Sequence, residues 1–484
     1  MPKTMDLLLG RGPEVAELRD LVATEGPHLI SVSGPRGRGK TALLHAAFQD
    51  LPVVHFQASH LPEGALVRDL EALALVLFGE VPTPRRPGVL PLPSGEGGWL
   101  SLLIGIVDRI EADGRRLIVI FDGMDPLLST ARGLPAHLAE MFESALSRGL
   151  PLSLVLTARS RGVLESLSGP DGPMPPPDLE VSLGSLPFRV AGWGHGAVDA
   201  EDAFHRWALL GDHPAHLPRT RRRRSLEGAV LSRVLRPSGD LFESPLRRLE
   251  GTFQRPARYA AILRALSSGP LDWSGILERA PGIETGGQLA PYLRRLEEEG
   301  LVVVELPLDA DPESRSRRYG LANPFLSFWF GSVLPHRSLL LAHGAEQVWK
   351  ERIRPSLSGH MQVWLEEAAR RWLLEHAEEQ LGAPARQTGA LWAGDADFPV
   401  AGRLTNGQVC YGLVEWGDVG GLAADMTHRM KEVRYGLGRE ARSPLFFLAG
   451  GVDEELRRLV AREPLARIIG FEQLMGTARI VPGT

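Results

Sequence analysis

Eight residues, Gly34-Pro35-Arg36-Gly37-Arg38-Gly39-Lys40-Thr41, match the spacing G-x-x-x-x-G-K-[ST]. Glycines so placed let successive backbone N–H groups curl around phosphate oxygens. The lysine can reach the β- and γ-phosphates, and the hydroxyl can sit on Mg²⁺. A Gly/Arg-rich surface turn is the plain alternative, but such a turn needs no particular neighbours. Here His28-Leu29-Ile30-Ser31-Val32-Ser33 reads as a buried strand before the loop, and Thr41 to Phe48 reads as a helix after it. A helix N-terminus adds a favourable dipole for anions. The pattern therefore predicts a nucleoside triphosphate site, with ATP and Mg²⁺ as cofactors and residues 34–41 as the cradle.

Two further strands are predicted to complete the site. Leu117-Ile118-Val119-Ile120-Phe121-Asp122 is a continuous apolar run ending in acid, as expected of a parallel strand covered on both faces. Asp122 is placed to hold the Mg²⁺ water shell opposite Thr41. Gly123 stands where many ATPases carry a catalytic Glu, which leaves Asp125 to orient or deprotonate the attacking water. Capping of the helix before Pro126 is the other reading of Asp122 and Asp125. The run Leu152 to Thr157 leads into Ala158-Arg159. Thr157 can sense the γ-phosphate and the Arg159 guanidinium can stabilise transferred charge, although Arg159 fits an ordinary loop arginine equally well. Strand, loop, helix, acid-tipped strand and polar-tipped strand in this order predict an additional-strand α/β NTPase with a parallel sheet.

Composition narrows the rest. The 484 residues, 43% hydrophobic and 23% charged, suit two to four soluble globular domains. A net charge of −5 excludes a polycation built to coat nucleic acid, so any DNA contact must come from a local patch. A single cysteine, Cys410, excludes an intramolecular disulfide framework and points to a reducing cytoplasm. No apolar run approaches the roughly 18 residues of a membrane span, and no membrane partner is expected.

The Gly10-Arg11 opening, the phosphate loop, Asp122-Gly123-Met124-Asp125, Thr157-Ala158-Arg159 and the late Gly211-Asp212-His213-Pro214 together resemble the STAND branch of AAA+-like ATPases. More closely they resemble the archaeal-type ATPases, whose C-terminal domain is a nuclease-like module. In that family the late motif reads roughly G-G-x-P-x-Y-L, and here glycine, proline and Leu217 are kept. The resemblance adds Pro214 to the nucleotide-binding residues. Gly12 replaces the acid of the usual G-R-E opening.

The resemblance implies an ATPase domain over residues 1–218, an Arg-rich helical linker at 219–250 and a winged helix at 251–322. An aromatic connector at 323–355 and a restriction-endonuclease-like α/β domain at 356–484 follow. Val81 to Gly98 and Gly169 to Asp178, rich in Pro and Gly, read as exposed excursions. Arg219, Arg221, Arg222, Arg223 and Arg224 fit either a phosphate-contacting patch, for DNA or a neighbouring subunit, or a solvated linker. Apolar spacing gives helices around Tyr259–Leu266, Trp273–Leu277 and Leu289–Leu296, with Pro291 expected in a first turn, then a hairpin near Leu301–Leu306 and Arg318–Leu321. Gln288, Arg294 and Arg295 could read DNA, but Glu297-Glu298-Glu299 would repel phosphate, so a purely structural winged helix is an equal reading. The segment Tyr319 to Phe330 matches the family's Y-x-x-x-D-P-F-L-x-F-W with Asn323 in place of Asp, and its aromatics are expected in the core.

In the relatives the tail is similar to PD-(D/E)XK nucleases, which need a helix Glu, a metal-binding Asp and E-x-K on the next strand. Glu366, Asp397 and Glu415 are the candidates here. Aligned with an E-C-K-W-like strand, Leu413 takes the acid's place and Glu415 the lysine's; shifted, Gly417 stands where lysine should be. Neither register keeps the cation. The expected function is an ATP-hydrolysing switch that passes nucleotide state to a disarmed nuclease-like docking module. An ATP-gated nuclease and a nucleotide-bound scaffold with little turnover are the alternatives. A protein partner or a second copy of the chain is the other expected contact.

Overall fold

The structure, a computed structural model, describes residues 10–59, 61–79, 98–217, 225–308, 310–311, 316–393, 396–417, 422–428, 441–448, 452–462 and 466–476. Two compact units divide the chain. The first holds the described residues up to Leu186 together with His213–Ala215; the second holds Pro187–Asp212 and the described residues from His216 onward. The Arg219–Arg224 cluster, Asp395 and most of the Val81–Gly98 stretch lie outside the described residues.

In the first unit five strands form one all-parallel sheet: β1 (His28–Ser33), β2 (Val53–Gln57), β3 (Leu117–Asp122), β4 (Leu152–Ala158) and β5 (Leu179–Ser182), in the order β2-β3-β4-β1-β5. Helices α1 (Gly12–Ala23), α2 (Lys40–Ala47), α3 (Glu63–Phe78), α4 (Gly98–Asp113), α5 (Met124–Thr130), α6 (Leu134–Ser147) and α7 (Arg161–Ser168) connect and cover them. Every residue of β1, β3 and β4 is buried, as a sheet covered on both faces requires. The two-residue period of a strand divides these side chains between two cores. Leu117, Val119 and Phe121 join Leu29, Val54, Phe56 and Trp99 in one; Ile118 and Ile120 join Ile30, Val32, Leu43 and Phe48 in the other. By the same period Asp122 falls on the face of Ile118 and Ile120, where α2 lies. Thr157, in phase with Val155, and His55, out of phase with Val54 and Phe56, fall on that face too.

The second unit opens with α8 (Phe188–Gly194) and α9 (Ala200–Leu210), the latter capped by the Asp199 carboxylate on the Asp202 amide. Helices Pro256–Ala265, Trp273–Arg279 and Gly286–Glu298 are followed by an antiparallel hairpin, β6 (Val302–Glu305) with β7 (Arg318–Leu321). Pro291 does not lie in a first turn as expected. The helix starts at Gly286, five residues earlier, because Gly286 and Gly287 continue the helix instead of ending the preceding loop, so the proline sits inside it. Its missing N–H leaves one intrahelical bond unmade. Phe325, Phe328 and Trp329 are buried, and the Trp329 indole donates to the Phe242 carbonyl at 2.9 Å.

A second sheet runs β12-β11-β10-β9-β8, from β8 (Ala385–Ala393), β9 (Ala396–Leu404), β10 (Val409–Glu415), β11 (Ala441–Leu448) and β12 (Arg467–Ile469). Its β10, β11 and β12 are parallel, and β8, β9 and β10 pair antiparallel. The long helix Leu357–Leu381 packs across β8, β9 and β10.

One buried polar pair ties this unit together. Asn323 caps the helix Pro324–Phe328 through its Oδ1, and its Nδ2 donates to Asp212 Oδ1 at 2.6 Å. An aspartate at 323 could cap equally well but would set two carboxylates against each other in a dry site. Asn323→Asp is expected to cost about 2–3 kcal/mol at pH 7, read as a lower urea midpoint. An unchanged midpoint would refute that role.

Candidate active site around the phosphate loop

The loop leaves β1 at Gly34, whose amide donates to Ala158 O at 3.1 Å and so ties β1 to the end of β4. A Cβ on Gly34 would lie 2.5 Å from the Leu183 carbonyl oxygen, and one on Gly37 would lie 2.2 Å from His213 Nε2. Both glycines have positive φ, which disfavours any side chain, and at Gly34 the fixed Leu183 backbone leaves no space for one either. Gly39, at φ 92°, turns the chain into α2 without a side-chain cap. The amides of the first helical turn are left to other acceptors.

Lys40 folds its ammonium back onto its own loop, donating to Gly34 O at 2.5 Å and Pro35 O at 3.4 Å. Burial lowers its pKa from the ordinary value, and the charges of Asp122 and Asp125 oppose that shift. Thr41 Oγ1 donates to Asp122 Oδ2 at 2.6 Å, while Thr157 Oγ1 donates to Asp122 Oδ1 at 2.7 Å. Asp122 and Thr157 are register partners on adjacent strands. The Gly123 amide in turn donates to Thr157 Oγ1 at 2.9 Å, locking that rotamer. Burial pushes the Asp122 carboxyl up, but hydrogen bonds from His55, Thr41 and Thr157 outweigh it and hold the group at about 2. Asp122 is thus an anion at every physiological pH.

Asp125 accepts from the Arg159 backbone amide at 3.0 Å, which joins the ends of β3 and β4; the Arg159 side chain is exposed. Pro214 is buried in a short turn, Pro214–His216. The loop residues, Lys40, Thr41, Asp122, Asp125, Thr157 and Arg159 therefore gather at one end of the sheet. An acidic carboxylate facing a hydroxyl beside a glycine-rich loop is the oxygen donor set that Mg²⁺ takes, usually with one or two carboxylates and the substrate's phosphates. The parallel sheet, the loop and its acid together have the P-loop NTPase arrangement.

Three histidines join the site: His45 and His55, which carry no motif in the sequence, and His213 of the late Gly211–Pro214 motif, which has no expected role of its own. His55 Nε2 lies 3.2 Å from Asp122 Oδ2, and its Nδ1 lies 3.0 Å from His45 Nε2. Burial, reinforced by the neighbouring His55, lowers the His45 pKa from its ordinary value. His213 stands against Gly37. In Val53-Val54-His55-Phe56-Gln57 the alternation already puts His55 on the opposite face from Val54 and Phe56. Nothing local says that this strand neighbours the acid-tipped one.

The nuclease-type candidates fare differently. Glu366 and Glu415 line one cleft of about 430 Å³ in the second unit, with Gln362, Arg318, Arg370 and Asp425. Gln362 clamps helix to strand: its Nε2 donates to Glu366 Oε1 and Val414 O, and its Oε1 accepts from the Trp416 amide, each at 2.9 Å. Asp397 belongs to β9, but its side chain lies outside the described residues. Among the described residues no group of three or more His, Cys, Asp or Glu is arranged to hold a metal. On the helix Gly286–Glu298, Arg294 pairs with Glu298 at 3.3 Å, and Arg295 pairs with Glu298 and Glu299 at 3.0 and 3.2 Å. Gln288 Oε1 accepts from the Glu284 amide. No helix among the described residues is long and apolar enough to cross a membrane.

No protein-family model matches the sequence, and no curated protein does. Solved structures do. A Walker-type ATPase of Pyrococcus abyssi is similar at 20% identity and TM-score 0.48, over 66% of this chain and 95% of that one. The ORC2 protein of Aeropyrum pernix, in ADPNP and ADP complexes, is similar at 15% identity and TM-score 0.39, over 68% and 94%. A STAND protein of Pyrococcus horikoshii with a tetratricopeptide repeat sensor follows at 14% identity and TM-score 0.22, over 76% and 49%.

Proposed function

We propose that this chain is a Mg²⁺-dependent ATPase whose nucleotide state biases its second unit. The observation that carries the reading is the Thr41–Asp122–Thr157 constellation beside a glycine loop that tolerates no side chain at Gly34. The loop amides receive phosphate oxygens. Lys40 exchanges its two carbonyl partners for the β- and γ-phosphates, a stronger set of acceptors for an ammonium. Thr41 and Asp122 are the residues that would hold Mg²⁺, which when bound would supply positive charge against the negative charge that develops in phosphoryl transfer. Asp125, aligned by the Arg159 amide, takes the water-orienting role that Gly123 cannot fill. The Arg159 guanidinium supplies positive charge at the strand end.

A path for the readout lies in the covalent chain. His213, against Gly37, is one peptide bond from Asp212, whose carboxylate is bonded to Asn323. A phosphate-filled loop and an empty one differ at Gly37, so they are differential ligands for that segment. The C-terminal module serves docking rather than cleavage in this reading, because Glu415 and Gly417 supply no cation where a nuclease needs lysine. The paired arginines of Gly286–Glu298 argue that DNA is not its main partner. ATP turnover with and without duplex DNA, on one sample of known mass, tests these points together. Lys40→Ala is expected to abolish ATP binding and turnover; unchanged turnover in the purified variant would refute the ATPase reading.

A further inference from the structure

The Asp122 carboxylate receives three donors on two oxygens, and one of them is needed elsewhere during catalysis. Thr41 and His55 share Oδ2, at 2.6 and 3.2 Å, while Thr157 holds Oδ1 at 2.7 Å. Once the Thr41 hydroxyl turns to a metal ion, Thr157 alone would leave the carboxylate free to swing about one hydrogen bond. His55 removes that freedom by keeping the second oxygen. A carboxylate only accepts, so His55 Nε2 carries the proton, and in the neutral ring Nδ1 is then an acceptor. Its partner at 3.0 Å is His45 Nε2, with the two rings edge to face at 5.0 Å between centroids. His45, on α2 one turn beyond Thr41, thereby selects the tautomer that His55 needs.

Resting on the ATPase reading above, we propose that His55, set by His45, is a positioning residue that holds Asp122 for its divalent cation and sets the affinity of the site for it. The placement is specific. His55 interrupts a strand whose other inward residues are apolar, it is 19% exposed, and it enters the α2 face where Asp122 and Thr157 also point. Outer partners of metal-binding carboxylates are worth roughly 10- to 100-fold in metal affinity.

The test separates metal from nucleotide. Mn²⁺ binding by electron paramagnetic resonance and Mg²⁺ titrations of ATP turnover are run on wild type, His55→Leu, His55→Gln and His45→Phe. Affinity for a fluorescent ATP analogue is measured with EDTA in parallel. His55→Leu is expected to weaken both metal titrations roughly 10- to 100-fold while leaving metal-free nucleotide affinity in place. His55→Gln, which can offer an amide N–H to Oδ2, restores most of the loss, and His45→Phe falls between. Metal titrations of His55→Leu that match wild type overturn the proposal. So does a His55→Gln variant as weak as His55→Leu, or an equal loss of metal-free nucleotide affinity. A wild-type protein that binds no ATP analogue at all refutes the ATPase reading itself, and that result is visible before any variant is compared.

Discussion

Replacing Asp122 with alanine is expected to abolish Mg²⁺-dependent ATP turnover and to weaken Mn²⁺ binding by at least 10- to 100-fold, roughly the effect of losing an outer partner alone. Two independent losses add here. The carboxylate is the anion that faces Thr41 across the site, and it is also the common acceptor for Thr41, Thr157 and His55. Alanine leaves the buried Thr157 hydroxyl without its acceptor, so the fold is penalised as well. Asp122→Asn keeps the volume but presents an amide N–H₂ to hydroxyl and imidazole donors, and it should lose metal nearly as fully. Acid titration separates the two losses. The native carboxyl, at about 2 against an ordinary 3.8, contributes stability that is complete above pH 3.8 and is lost as pH falls toward 2. That shift corresponds to about 2 kcal/mol, and the acid-dependent contribution should vanish in Asp122→Asn. Near-normal Mg²⁺-dependent turnover in Asp122→Ala would remove this residue from the mechanism.

The second unit is expected to unfold at a much milder pH, because one buried histidine, His195, and two half-buried ones, His216 and His360, cap one helix. His360 Nε2, His216 Nδ1 and His195 Nε2 lie 2.8, 3.1 and 2.8 Å from the carbonyl oxygens of Ala208, Leu210 and Gly211. These are the end carbonyls of α9, which lack intrahelical partners. A neutral imidazole serves as donor, and burial disfavours the charged form in each case. It pushes His195 down to about 3 and His216 and His360 down to about 4, with Arg233 adding repulsion at the first two. The unfolded chain takes up these protons near pH 6.5 and the native chain does not. Stability is therefore complete above pH 6.5 and falls on acidification, by about 1.4 kcal/mol per pH unit for each histidine. Three together remove on the order of 10 kcal/mol by pH 4, comparable with the whole stability of a domain. All but one of the ten tryptophans lie beyond Leu186, so intrinsic fluorescence reads this unit. Urea midpoints should drop steeply between pH 6.5 and 4.5, with a shallower slope in His360→Gln. A flat profile would mean that the histidines are not held neutral.

How far the chain could be read depends on the range of the forces involved. Residues 34–41, the apolar strands around them and the acid at Asp122 were legible because a phosphate cradle is local. Glycines must supply positive φ, a strand must enter and a helix must leave, all within about 20 residues. Alternation along each strand likewise told which residues share a face. What only the folded chain decided was which strands are neighbours. The order β2-β3-β4-β1-β5 sets His55 beside the acid strand and Thr157 in register with Asp122, and neither adjacency has a local signature. The late turn that lays His213 on Gly37, and His360, which meets the Ala208 carbonyl from 152 positions away, come from segments far apart in sequence. Long-range pairings of this kind are chosen by burial of whole faces, which no short window contains.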